Sequence, residues 1–390
     1  MKKILLPALL LYSLLSCQKQ QMLPTVKQLP RFNLLTDTLI SKDKKQPVTL
    51  IIKDTVAEAN YAGKIERRGG FSIIYPKHSY EMDLKVDIAL GGLPADDDWI
   101  LNANYIDKTF LRHVFAYDLF RAMHPNNRAA QTQFVELALN NQYQGLYVLM
   151  EKLDKSSLQI DGKDPAAVIF KEPPLFRLDA FSPQDPDNYH QQTYPKIKKT
   201  DKRAFIENIR RFLEESEESV FSKEIATIFD MSNIIDWHLL LLLTNNNDGI
   251  LKNFYLYKVD AATPLRIAPW DYDHSLGRDG DNELNLIKRT LKVERSLLFK
   301  RLLALDWYKK SLRERWLNLN QRALFSVGGL NQRIDQCARQ IAPFVDKNFT
   351  RWPVDTDFYY DGNTHLEELA IIKKYITMRH QQLTEYFGQL

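Results

Sequence analysis

Two apolar periods divide this chain, and they predict different structure in its two halves. From about Leu29 to residue 154 the apolar positions alternate with polar ones, as in a strand with one buried face. Residues 48–52 and 79–86 are the clearest examples, and residues 134–139 and 145–150 flank the polar run 140–144 as the two arms of a hairpin. One helix interrupts this half, over residues 108–123, where Phe110, Leu111, Val114, Phe115, Leu119 and Phe120 gather largely on one face; Pro125 follows as a stop. Residues 173–199, with several prolines and aspartates, predict an irregular connection. Beyond Asp201 the apolar spacing becomes helical, over 204–215, over 231–243 and through most of 294–387. Between these helices, 254–258 and 264–270 read as a β-hairpin presenting Asp248 and Asn253 at one end and Asp271 at the other. The fold class expected is α+β, β-rich over about 29–172 and helical over 200–390.

The first residues break this pattern. Met1-Lys2-Lys3, an apolar run to Leu15 and then Ser16-Cys17 follow the order of a secretory signal, too short to span a bilayer comfortably. Leu14-Leu15-Ser16-Cys17 resembles a bacterial lipobox, although Leu15 is a less usual residue at its place. Residues 1–16 are therefore expected to be a lipoprotein signal peptide, Cys17 the lipidated residue, 17–28 a tether and 29–390 the folded domain. On this reading the protein is exported and held at a membrane of the cell envelope by its lipid; an ordinary secreted protein is the alternative. Cys337 is then the one remaining thiol, so no internal disulfide can form, and with no His nearby in sequence it reads as structural.

With 44% hydrophobic residues, 390 positions suffice for a substantial core. The 53 basic residues nearly balance the 49 acidic ones, which argues against a nucleic-acid partner bound by phosphate neutralisation.

The candidate chemistry lies in two short runs, 245–253 and 269–273. The first contains Asp248-x-x-x-x-Asn253, a spacing at which phosphoryl-transfer sites place a base and a metal-holding amide; the second adds Asp271 and Asp273. Such transfer needs a carboxylate to orient the acceptor hydroxyl, oxygen ligands for Mg²⁺ and cations on the phosphates. Asp248 is the candidate base, Asn253 and Asp271 the metal ligands, and Asp273 a second ligand or a partner behind them. Each run alone reads more readily as a helix cap or a turn than as a site. Together, on either side of an apolar hairpin, they point to a site. Upstream, Arg67-Arg68-Gly69-Gly70 and Pro76-Lys77 offer backbone donors and cations for phosphate, with Arg68 and Lys77 as candidates, and a basic β-turn as the plainer reading. Lys152, beside Glu151 after an apolar strand, and Lys171 could form the Lys–Glu pair that places nucleotide phosphates, although both lysines fit a surface role as well. No Walker glycine loop, His-Glu-x-x-His or Gly-x-Ser-x-Gly occurs, and His238 and His274 stand in no metal-ligand pattern.

In this order the motifs resemble the CotH family of spore-coat-type atypical protein kinases. They comprise the Arg-Gly turn with Pro76-Lys77 and Ser79-Tyr80, residues 98–103, Asp107 with Leu111-Arg112, the hairpin carrying Gly145 and Glu151-Lys152, Tyr194-Pro195-Lys196, and residues 247–258 and 270–273 with Gly277. The resemblance implies a diverged protein-kinase-like fold with a mostly β N-terminal lobe and a mostly α C-terminal lobe. It implies ATP and Mg²⁺ as cofactors and transfer of the γ-phosphoryl group to Ser or Thr of a surface or secreted protein, with Asp248 catalytic and Asp271 on the metal. The other function it allows is a catalytically inactive cell-surface binding or assembly protein on the same scaffold. Two departures bear on the nucleotide: Gly70 stands where Asn is more usual, and Leu265 where an aromatic able to stack on a base is common.

Overall fold

A computed structural model describes residues 28–53, 58–178, 191–278, 295–354 and 362–389. The expected signal peptide and Cys17 lie outside the described residues.

The strand-period half forms β1 (Arg31–Leu35), β2 (Gln46–Lys53), β3 (Glu58–Arg68), β4 (Ser79–Ala89), β5 (Ala95–Asn102), β6 (Thr132–Leu139) and β7 (Gln142–Glu151), with α1 (Arg112–Met123) between β5 and β6. These strands close into a barrel in the order β1-β2-β3-β4-β5-β7-β6, sealed by parallel pairing of β1 with β6. Alternate residues fill it: Phe32 and Leu34, Val48 and Leu50, Met82 and Leu84, Trp99 and Leu101, Tyr147 and Leu149 all point inward. The sequence reading expected a β-rich half but not its closure, since closure depends on a pairing between β1 and β6 that no local pattern encodes.

A second apolar cluster lies outside the barrel. It takes the other face of β7 through Leu146, Val148 and Met150, so this strand is buried on both sides and joins the two cores. Around it stand β8 (Val168–Lys171), β9 (Gln192–Tyr194), α2 (Arg203–Glu215), α3 (Glu218–Ile228), α4 (Met231–Thr244), β10 (Phe254–Lys258), β11 (Arg266–Pro269), α5 (Leu297–Leu302), α6 (Asp306–Asn320), α7 (Val327–Arg351) and α8 (His365–Gln389). The sheet order is β11-β10-β8-β9. β8, expected with the β-rich half, therefore pairs with the β10–β11 hairpin instead, antiparallel to β10 from Lys171↔Tyr255 to Val168↔Lys258.

Helix α7 is pinned to β7 through Gly145. That residue has φ +110°, and a Cβ there would stand 2.5 Å from Asn348 Oδ1, which itself accepts from the Leu146 amide at 3.1 Å and from Lys77 Nζ at 3.1 Å. Gly145→Ala is expected to lower the melting temperature by roughly 5 °C or more through backbone strain and a displaced Asn348. An unchanged melting curve would show that α7 is not held there.

Candidate functional site

The site is built at the end of the β10–β11 hairpin opposite its connecting loop. Helix α4 ends at Asn245 in the left-handed region, φ 53°, and turns the chain back. Asn246 then fastens two turns at once: its Oδ1 accepts from the Gly249 amide at 3.0 Å, and its Nδ2 donates to the Asp271 carbonyl at 3.0 Å. Asn253 precedes β10 and Trp270 follows β11, and the Trp270 amide donates to the Asn253 carbonyl at 2.9 Å. Antiparallel pairing of Phe254 with Pro269 therefore brings Asn253 and Asp271 to one end of the hairpin, rather than to opposite ends as the linear sequence suggested. Asn253 and Asp271 are themselves left-handed, φ 59° and 55°, a backbone state that Asn and Asp tolerate better than most residues.

Asp271 is held on three sides. Its amide donates to Tyr117 Oη at 2.9 Å, its carbonyl is held by Asn246, and its carboxylate meets His113 Nε2 at 3.1 Å. Tyr117 is wedged between Trp270 and Tyr272, which fixes α1 against this loop. The donor atoms of His113, Asp271 and Asp273 all lie within 4.8 Å of one another. Burial opposes charge on His113, but its bond to Asp271 and the charges of Asp273, Asp271 and Asp107 outweigh it and raise its pKa. Partial loss of solvation in the cleft wall would likewise raise Asp271, yet the bond to His113 and the charges of His113 and His274 hold it below the usual carboxylate range. Burial and the neighbouring Asp271 charge push Asp273 up to about 6. An imidazole and two carboxylates converging in this way fit a divalent cation.

This cluster opens into a cleft of about 810 Å³. Asp248, Lys252 and Asn253 stand on the same wall system, with Asp248 ion-paired to Lys252 at 2.9 Å. Arg68 at the end of β3, Gly69, Gly70 and Lys171 at the end of β8 also line the cleft, and the Arg68 guanidinium lies 5.6 Å from the centre of the Trp270 ring. Arg68, Lys171, Asp248, Asn253, Asp271 and Asp273 thus line one cavity.

Of the other expected cofactor contacts, Glu151 and Lys152 do not line the cleft, and Lys77 lines it with its side chain turned to protein acceptors. Lys77 is 2% exposed, and its ammonium donates to the carbonyls of Ala103 at 2.8 Å and Leu146 at 2.5 Å as well as to Asn348; burial drives its pKa well below normal. Its donors are spent on holding β4 to β7 and α7. Glu151 accepts from the amide and side chain of Gln131, at 2.8 and 3.2 Å, and is not the partner of Lys152. Lys152 pairs instead with Glu81 at 2.9 Å and Asp98 at 3.2 Å, so a Lys–Glu pair exists but spans the barrel wall. Leu265 is 2% exposed and bridged to Phe229, so a side chain at that position meets the core and not a base in the cleft.

Glu81 lines the cleft with Lys152 and Lys45 on its carboxylate. Burial would raise its pKa, but hydrogen bonds and charges from these two lysines bring it down to about 2. A depressed carboxylate stabilises the fold above its unfolded pKa, and that contribution disappears as pH falls through the folded value. The stability gap between wild type and Glu81→Gln should therefore be full, at about 2–3 kcal/mol, above pH ~4.5 and shrink towards pH ~2. Denaturant unfolding of both proteins across this range checks it, and a constant gap would contradict it.

His113, Asn246, Tyr117 and Glu81 went unmarked in the sequence. His113 carried a weak signal, as a titratable group in the second turn of the helix expected over 108–123. Elsewhere, His238 is buried against Tyr308 Oη at 3.0 Å, with burial lowering its pKa to about 3, and Cys337 is half-buried with its thiol pushed up to about 11. Both are packing residues.

A mixed α+β scaffold thus presents a cleft lined by a His–Asp–Asp cluster able to hold a cation, a further carboxylate and basic side chains. A family model described as CotH kinase protein matches residues 65–383, and the chain belongs to the CotH family. It is similar to inner spore coat protein H of Bacillus subtilis (strain 168), 23% identical over 293 residues that cover 74% of this chain and 78% of that protein. Among solved structures, a Helicobacter pylori proinflammatory kinase, CtkA, aligns over 83% of this chain and 98% of its own at 8% identity, with a TM-score of 0.28, too low for the two folds to be equated.

Proposed function

We propose that the chain is a metal-dependent protein kinase of the CotH type, moving the γ-phosphoryl group of ATP to a Ser or Thr hydroxyl on a surface or secreted protein. The observation that carries this reading is the convergence of Asp271, Asp273 and His113 on the cleft that also holds Asp248, Arg68 and Lys171. Asp271 and Asp273 would hold Mg²⁺, with Asn253 beside them; the ion, when bound, neutralises phosphate oxygens. Asp248 orients the acceptor hydroxyl and receives its proton as the oxygen attacks the γ-phosphorus and the bond to the β-phosphate oxygen breaks, releasing ADP. Arg68 and Lys171 supply fixed positive charge to the phosphates, in a cleft where such charges count for more than in water.

The proposal retains export on a lipid-bearing Cys17, which requires ATP to reach the protein outside the cytoplasm. Incubation of the protein with γ-labelled ATP, Mg²⁺ and protein acceptors should label Ser or Thr. Absence of label on any acceptor, itself included, would favour the second reading.

That second reading is a surface binding or assembly protein without turnover. Its support is that Lys77 and Lys152, both expected on phosphates, are taken up by groups of the chain itself, while Phe71, which lines the cleft, is 75% exposed, as a protein-facing rim would be. ATP with Mg²⁺ should then leave the melting temperature unchanged.

A further inference from the structure

The cluster beside the hairpin contains a ligand that the sequence motifs do not supply. His113 comes from α1, is 3% exposed, and turns Nε2 toward Asp271 and Asp273, while its Nδ1 is buried without a hydrogen-bond partner. The ring cannot swing away: Tyr117 packs edge-on against it at 5.8 Å, and the preceding Arg112 is locked to Asp107 and Glu368. Its one functional nitrogen is therefore presented to the same point in space as two carboxylates.

We infer that His113 Nε2 is a direct metal ligand, making this a nitrogen–carboxylate centre selective for a first-row divalent transition ion, with Mn²⁺ as its natural probe, over Mg²⁺. Mg²⁺ is a hard ion that keeps its oxygen shell and gains little from imidazole. Mn²⁺ accepts the same octahedral carboxylate chemistry, and first-row transition ions bind imidazole nitrogen more readily. The inference deepens the kinase reading by naming the metal class of that site, and it concerns binding alone.

The test uses metal-stripped protein with no nucleotide present. Titration with Mn²⁺ followed by electron paramagnetic resonance, with Mg²⁺ as competitor, should give an affinity for Mn²⁺ about tenfold or more above that for Mg²⁺. The electron spin echo should be modulated by a directly coordinated ¹⁴N, replaced by a ¹⁵N pattern in protein labelled at histidine. His113→Gln, which can still hydrogen-bond to Asp271, should lose the nitrogen modulation and most of the preference, whereas His274→Gln should keep both. Bound Mn²⁺ without nitrogen modulation in wild type would overturn the inference, as would modulation that survives His113→Gln or a failure of Mn²⁺ to bind. The isotope experiment on the wild-type chain needs no variant, so it stands even if His113→Gln folds poorly. Nitrogen-ligated Mn²⁺ in a protein that transfers no phosphate would leave this inference intact and remove the kinase reading. Transfer supported by Mg²⁺ with no nitrogen ligand would do the reverse.

Discussion

Asp271→Asn is expected to reduce phosphoryl transfer by about a thousandfold or more while leaving the protein folded. Asn is the informative substitution because residue 271 is left-handed, φ 55°, a state Asn adopts about as readily as Asp and Ala does not. The fastenings to Tyr117 and Asn246 are made by backbone atoms and survive the change. The side chain is 45% exposed to the cleft, so its neutralisation buries no new unpaired group. What is lost is one of the two carboxylates able to anchor a cation. A second readout follows from the charge balance: His113, raised by its bond to Asp271 and by the carboxylates around it, should titrate at lower pH in the variant, observable by NMR of its ring protons. Transfer at wild-type rate in Asp271→Asn would remove Asp271 from the mechanism. A fallen His113 pKa without any change in transfer would separate the electrostatics of the cluster from its chemistry.

The hairpin and its carboxylates were legible because they are local. Asp248, Asn253, Asp271 and Asp273 lie within one short stretch of chain, and a run of apolar residues between turn-forming ones is a reliable sign of a hairpin. Its spatial sense was harder, since only the register Phe254↔Pro269 shows that both flanks meet at one end. His113 was out of reach, because it reaches Asp271 across 158 positions through the packing of α1 on the second core. Tyr117 and Asn246 were hidden for the same reason: their role is to fix a backbone that sequence alone does not place.

The lysines show a different limit. Adjacent residues of extended chain point to opposite faces, so Glu151 and Lys152 could not pair as neighbours, and Lys152 found Glu81 two strands away in the barrel order. The composition was right and the partner was not. Lys77 was read as a phosphate ligand because it is a cation of the stretch that follows the Arg-Gly turn, and lysine is rarely buried. Here three acceptors and two aromatic faces, Phe110 and Tyr147, surround its ammonium and make burial tolerable. A solvated role is the better guess for any single lysine, and a close-packed junction of strand, strand and helix is where it fails.

Arg112→Met should cost about 3–5 kcal/mol of folding stability at neutral pH, because it strands buried carboxylates and does not merely delete a contact. Arg112 is fully buried; its guanidinium meets Asp107 and Glu368, the latter at 3.0 Å, and its Nε donates to the Ser275 carbonyl at 2.9 Å. Glu368 keeps a second partner in Arg278 at 2.6 Å, so Asp107 bears more of the loss. Burial alone would raise Asp107, and the Arg112 charge, with hydrogen bonds from Thr109 and the Arg112 amide, holds it below normal instead. In wild type that depressed carboxyl adds stability above its unfolded pKa, lost only as pH falls through the lower folded value. Without the guanidinium the same carboxyl is expected to rise above its unfolded value, so the variant gains stability relative to wild type as pH falls. The gap measured by denaturant unfolding should therefore narrow between pH 7 and pH 5, and a gap that widens or stays level would refute the stranded-charge account. Because Ser275 sits in the loop that carries Asp271 and Asp273, and His113 adjoins Arg112, Mn²⁺ affinity should fall along with stability. Arg112→Lys keeps the charge but not the planar fork that reaches Asp107, Glu368 and Ser275 together, and it should recover part of the stability and less of the metal affinity.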